Sequence, residues 1–148
     1  MKRVLVICLG NICRSPIGEE LIRQQGIKHN LSLEVDSAGT IDWHAGKGPD
    51  PRSQEVMRAH GLDISDQQSR PLKAADFENF DVILCMDQQN MMDAQRIAKG
   101  PAELHLFVDG VDVPDPYYGG ETGFQKVYAM LEKASIHWIE QWSKQKNS

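Results

Sequence analysis

The sequence is poor in cysteine, with three in 148 residues, at positions 8, 13 and 85. So odd and sparse a set excludes the disulfide framework of a small secreted domain and fits free thiols in a reducing compartment. Long apolar runs are missing too, and no segment approaches the roughly 20 apolar residues of a membrane-spanning helix. The opening MKRVLVICLGN is basic and then apolar, but it enters a polar loop without a signal-peptidase pattern. It reads as the first strand of a cytoplasmic protein. There is no lysine-arginine cluster, and a formal net charge of −5 gives a field that repels nucleic acid and anionic membranes. Any recognition of phosphate therefore has to be local. No internal repeat or low-complexity stretch divides the chain, and its length fits one domain spanning residues 1–148.

What is present is an alternation of strand and helix signals. RVLVI (3–7) is apolar without polar alternation, as in a strand covered on both faces. Ser15 as an N-cap and Pro16 at the first helical position predict a helix to about Gly26. LSLEVDSAG (31–39) alternates as a second strand, and Asp50-Pro51 opens a helix that Gly61 closes. DVILCMD (81–87) is a buried third strand, Asp87 caps a helix through about Lys99, and ELHLFV (103–108) is a fourth strand. Phe124, Val127, Tyr128, Leu131, Trp138 and Trp142 mark one face of a long last helix. Met91 and Met92 are expected to pack in the core. The order β-α-β-α-β-α-β-α predicts an α/β fold: a four-stranded parallel sheet, helices on both faces, flavodoxin-like or Rossmann-like in strand order. Its ligand crevice lies beyond the carboxyl ends of the strands, where Cys8 falls.

Two of the three cysteines share the stretch VICLGNICRSP (6–16). A cysteine followed by five residues and Arg-Ser closes a loop whose N–H groups turn inward, while the following helix adds its positive end. Composition alone gives such a match odds on the order of a few per cent. The plain alternative, a buried strand cysteine beside a capped turn, leaves the arginine and serine unexplained. In an anion cradle the thiolate is favoured, which makes Cys8 a candidate nucleophile. Arg14 supplies a planar fork of donors that matches two phosphate oxygens. Gly10 and Asn11 are suited to positive φ in a tight loop, and Ser15 is placed to donate its hydroxyl to the Cys8 sulfur. Expelling an alkoxide or aryloxide from phosphorus also needs an acid. Asp115 is the candidate, held between Pro114 and Pro116 in the loop after the fourth strand.

These residues, CLGNICRSP together with DSAGT (36–40) and DPYY (115–118), resemble the low-molecular-weight protein tyrosine phosphatases over essentially the whole chain. The resemblance implies hydrolysis of phosphotyrosine through a phosphocysteine on Cys8, with Arg14 holding phosphoryl oxygens and Asp115 as general acid and then base, and neither metal nor cofactor. Leu9, Gly10, Asn11, Ile12, Cys13 and Ser15 are then the phosphate-binding loop. Ser37 supports that loop through Asn11, and Trp43, Tyr117 and Tyr118 wall the pocket. Partners are phosphotyrosine proteins, and the chain is expected to act as a monomer. The family also implies that Cys13 forms a protective disulfide with oxidised Cys8. One departure is Gln67, near where relatives carry a histidine in the loop-support network.

Three alternatives remain at this point. Arsenate reductases share the loop but require two further redox cysteines, and only Cys85 is left, in the apolar run VILCM. Protein arginine phosphatases carry a threonine at the position of Ile12, whose apolar side chain better suits an aryl ring. A phosphotyrosine-binding module without turnover would not need Cys8, Arg14, Ser15 and Asp115 together. The five histidines have no metal-ligand spacing, and His44 beside Trp43 is a minor candidate for a catalytic role.

Overall fold

A computed structural model describes residues 1–146; residues 147–148, at the end of the expected domain, lie outside the described residues. The chain runs through β1 (Lys2–Cys8), α1 (Arg14–Lys28), β2 (Leu33–Gly39), α2 (Pro51–Ala59), α3 (Asp76–Asn79), β3 (Val82–Cys85), α4 (Gln88–Ile97), β4 (Glu103–Leu106) and α5 (Glu121–Lys146). All strand pairs are parallel and the order is β2-β1-β3-β4. The chain leaves β1 to one side for β2 and returns to its other side for β3. The carboxyl end of β1 is therefore the switch point at which such sheets open a ligand crevice.

The absence of polar alternation in β1 follows from its position. Val4, Val6 and Cys8 face one core with Leu84, Ile17 and Leu21 of α1, Met57 of α2 and Leu131 of α5. Leu5 and Ile7 face a second core with Ile83, Phe77 of α3 and Ala94 of α4. Each large apolar side chain so enclosed contributes about 1.5–3 kcal/mol. Asp50 caps α2 by accepting the Arg52 N–H, Asp87 caps α4 by accepting that of Asn90, and Gly61, at φ +78°, ends the α2 segment.

Several expectations need correction. Helix α1 begins at Arg14 with Cys13 as its N-cap, so Ser15 is inside the helix and not its cap, and Pro16 is the third helical residue. The helix also passes through Gly26 to Lys28, and Gly26 admits Leu33, whose Cδ1 would lie 2.6 Å from a Cβ there. The four-residue helix α3 was not expected, and the second, third and fourth strands are shorter than their apolar runs. Met92 is exposed and only Met91 packs against the core.

Candidate active site

The loop from Leu9 to Cys13 joins β1, one of the two inner strands, to the longest helix of the N-terminal half. Asn11 takes the left-handed conformation, φ 57°, that the turn requires, whereas Gly10 does not. Gly10 provides room instead, since a Cβ there would meet His44 Cδ2 at 3.0 Å. Among the described residues, the backbone N–H groups of residues 10–14 donate to no backbone or side-chain acceptor, and that of Ser15 is directed at the Cys8 sulfur at 3.4 Å. Such a ring of unmatched donors at a helix start is an anion site.

Hydrogen bonds behind the loop have a fixed direction. The Asn11 amide nitrogen donates both to Ser15 Oγ at 2.7 Å and to Ser37 Oγ at 2.9 Å. Ser37 Oγ in turn donates to Glu19 at 2.6 Å, and Asn11 Oδ1 accepts the Arg70 N–H. With its oxygen already accepting from Asn11, Ser15 has its own proton free for Cys8 Sγ, 3.1 Å away. Ser69 Oγ ties down the Gly10 carbonyl. Gln67 is not part of this network: it donates to the Pro16 carbonyl at 3.1 Å. Burial lifts the Glu19 carboxyl above its ordinary range against the hydrogen bonds of Arg23 and Ser37.

Arg14 is buried, with one terminal nitrogen shared between Asp87 Oδ2 at 2.7 Å and the Val113 carbonyl at 2.9 Å. Its other terminal nitrogen lies 3.6 Å from Asp115 Oδ2. Burial opposes its charge, but Cys8, Asp87 and Asp115 hold it above the ordinary guanidinium range. A planar cation is thus aimed at the cradle before any ligand arrives. Asp115 Oδ1 accepts the N–H of Tyr117, which turns the carboxyl group toward the pocket mouth.

A cavity of about 250 Å³ gathers Cys8, Leu9, Gly10, Ile12, Cys13, Arg14, Trp43, Asp115, Tyr117 and Tyr118. Asn11, Ser15 and Ser37 support it from behind. Trp43 and Tyr118 are 78% and 97% exposed, so the walls are wet on one side, while Tyr117 packs edge-on against Tyr118. Ile41 and His44 also line the cavity. Sequence reasoning missed Ile41, the Arg14 partner Asp87, and the loop supports Glu19, Ser69 and Arg70. The available signal for Asp87 was its place at the carboxyl end of the third strand. A larger groove of about 1000 Å³, between the open edge of β4 and α5, contains neither a cysteine nor an arginine. Among the described residues no group of histidines, cysteines and carboxylates is arranged to hold a metal ion, and no helix is long and apolar enough to cross a membrane.

Comparison with known proteins agrees with this geometry. The family model for low molecular weight phosphotyrosine protein phosphatase matches residues 3–148. A phosphatase of that description from Schizosaccharomyces pombe is 39% identical, over 93% of this chain and 95% of the relative. A protein tyrosine phosphatase from Entamoeba histolytica, solved with Hepes in its active site, superposes with a TM-score of 0.92 at 35% identity, covering 99% of each chain. An arginine phosphatase from Drosophila superposes at 0.87 with 29% identity, over 96% of this chain and 98% of the other. The chain belongs to the low molecular weight phosphotyrosine protein phosphatases and, with them, to the phosphoric monoester hydrolases.

Proposed function

We propose that the chain hydrolyses phosphotyrosine in proteins through a phosphocysteine. The observation that carries this reading is the convergence of Cys8, Arg14 and Asp115 on one aromatic-walled cavity. The Cys8 thiolate attacks phosphorus, the bond to the tyrosine oxygen breaks, and the Asp115 carboxyl gives that oxygen its proton. The Asp115 carboxylate then takes a proton from the water that attacks the phosphocysteine, releasing inorganic phosphate and the thiolate. The Ser15 hydroxyl stabilises the departing sulfur, and Arg14 with the loop N–H groups holds the equatorial oxygens.

Arginine phosphatase activity is the second reading, favoured by the Drosophila neighbour. The apolar Ile12 at the cavity wall supports an aryl ring over a solvated guanidinium. Arsenate reduction is disfavoured because it needs two further redox cysteines and, beyond the loop, only Cys85 is left, fully enclosed inside β3. The test is phosphate release from a phosphotyrosine peptide in the presence of chelator, for wild type and Cys8→Ser, beside a phosphoarginine peptide. Turnover of phosphotyrosine that is lost in the variant is expected; preference for phosphoarginine would overturn the assignment of substrate.

The same loop supports reversible oxidative protection. Hydrogen peroxide converts the Cys8 thiolate to a sulfenic acid, and the Cys13 thiol displaces its hydroxyl as water to form the disulfide. Cys13→Ser should then recover less activity than wild type after peroxide followed by dithiothreitol. Equal recovery would rule the disulfide out.

A further inference from the structure

Arg52 has no part in the mechanism above, yet it joins both halves of the site. It stands in the first turn of α2, which is fastened to the phosphate loop: the Asp50 N–H donates to the Ile12 carbonyl at 2.8 Å and Ser53 Oγ to the Cys13 carbonyl at 3.1 Å. From there the guanidinium reaches the acid loop, donating to the Tyr117 carbonyl at 2.8 Å and to the Gly119 carbonyl at 3.2 Å. It also lies over the rings of Tyr117 and Phe124, 5.6 and 4.6 Å from their centroids. The Asp50 carboxylate fixes the fork from behind, accepting two hydrogen bonds from the guanidinium besides that of the Arg52 backbone N–H.

The peptide groups flanking Tyr117 are consequently held at both sides. Its N–H is taken by the Asp115 carboxylate and its carbonyl by Arg52. Among the described residues, Arg52 is the one side chain from outside the 115–119 turn that hydrogen-bonds to it. Asp115 itself is ion-paired only at 3.6 Å and its side chain is 40% exposed, so its orientation depends on the turn that carries it. We propose that Arg52 is a positioning residue for the acid, locking the 115–119 turn to the phosphate loop so that Asp115 faces the leaving oxygen. The inference rests on the assignment of Asp115 as general acid.

The experiment compares kcat/KM for a series of aryl phosphates, from p-nitrophenyl phosphate to phenyl phosphate, in wild type, Arg52→Ala, Asp115→Asn and the double variant. Only poor leaving groups need the proton, so a misplaced acid acts selectively. Arg52→Ala is expected to lose about tenfold on phenyl phosphate and less than about twofold on p-nitrophenyl phosphate, part of the roughly 10²- to 10⁴-fold that a positioned acid supplies. In the Asp115→Asn background it should cost nothing further. Equal losses along the series, losses that multiply with Asp115→Asn, or no loss would overturn the proposal. Should Arg52→Ala fail to fold, Arg52→Lys, which keeps the charge without the fork, carries the same test with a smaller selective loss. An Asp115→Asn variant without leaving-group selectivity would overturn the acid assignment itself, and this inference with it.

Discussion

Reactivity separates the three thiols. Burial, with the negative fields of Asp50, Cys8 and Asp115, pushes Cys13 up, and burial with Asp87 does the same to Cys85. Both stay protonated at neutral pH and react slowly, whereas Cys8 lies in the cradle beside Arg14. One equivalent of iodoacetate at pH 7 is therefore expected on Cys8, and inorganic phosphate should slow its incorporation. Peptide mapping reads the site, and first labelling of Cys13 or Cys85 would contradict this order. Asp87 is the second residue with a measurable role. One carboxylate oxygen receives Arg14 and the other caps α4, so Asp87→Asn keeps the cap and removes the charge. Inhibition by phosphate should weaken about tenfold, well inside the roughly 100-fold that a 1 Å misplacement can cost. An unchanged inhibition constant would mean that the Val113 carbonyl alone orients Arg14. Only the first role was legible from the chain: Cys8, Arg14 and Ser15 announce themselves by spacing within one loop, but Asp87 meets Arg14 across 73 positions.

At the scale of elements, the start of α1 shows how chemistry overrides local preference. Ser15 followed by Pro16 reads as a cap and first turn. In the structure the serine hydroxyl is engaged by Asn11 and Cys8, and the helix opens earlier, on Cys13, without a side-chain cap. In that first turn the Arg14 N–H is left for an anion, the Ser15 N–H is directed at the Cys8 sulfur, and Pro16 has none to satisfy. The end of β2 is matched to this loop just as closely. A Cβ on Gly39 would lie 2.8 Å from the Leu9 carbonyl oxygen and 3.1 Å from the Gly10 carbonyl carbon, both backbone atoms. Gly39→Ala should therefore displace the cradle, lowering stability by about 1–3 kcal/mol and kcat/KM by about tenfold. Thermal unfolding and turnover measured on one preparation test both, and a fully active variant would show that the loop gives way without harm. The four-residue α3 escaped notice because so short a helix carries no periodicity to detect.

On the scale of the whole molecule, the parallel architecture was legible because β1 and β3 are apolar on both faces and the helices before and after β3, α2 and α4, announce their caps at Asp50 and Asp87. The supports Glu19, Arg52, Ser69 and Arg70 were not, since ordinary surface residue types acquire their meaning only when loops distant in sequence converge. Two cores share one sheet, so truncation on either face should weaken the same cooperative transition. Ile83→Ala, fully buried in the smaller core, is expected to cost about 2–5 kcal/mol and to lower Tm by roughly 10 °C. A second transition in the melting curve would show that the two cores unfold separately. Cys8, the proposed nucleophile, hangs from β1, an inner strand hydrogen-bonded to a neighbour on each side. Its amides should exchange with solvent only when the entire fold opens, while Trp43 and Tyr118 stand on the rim with most of their surface in water. The proposed chemistry is thus carried by the sheet, and the proposed choice of partner by residues that the sheet hardly touches. Such a scaffold can acquire new clients by exchanging rim residues, leaving its chemistry intact.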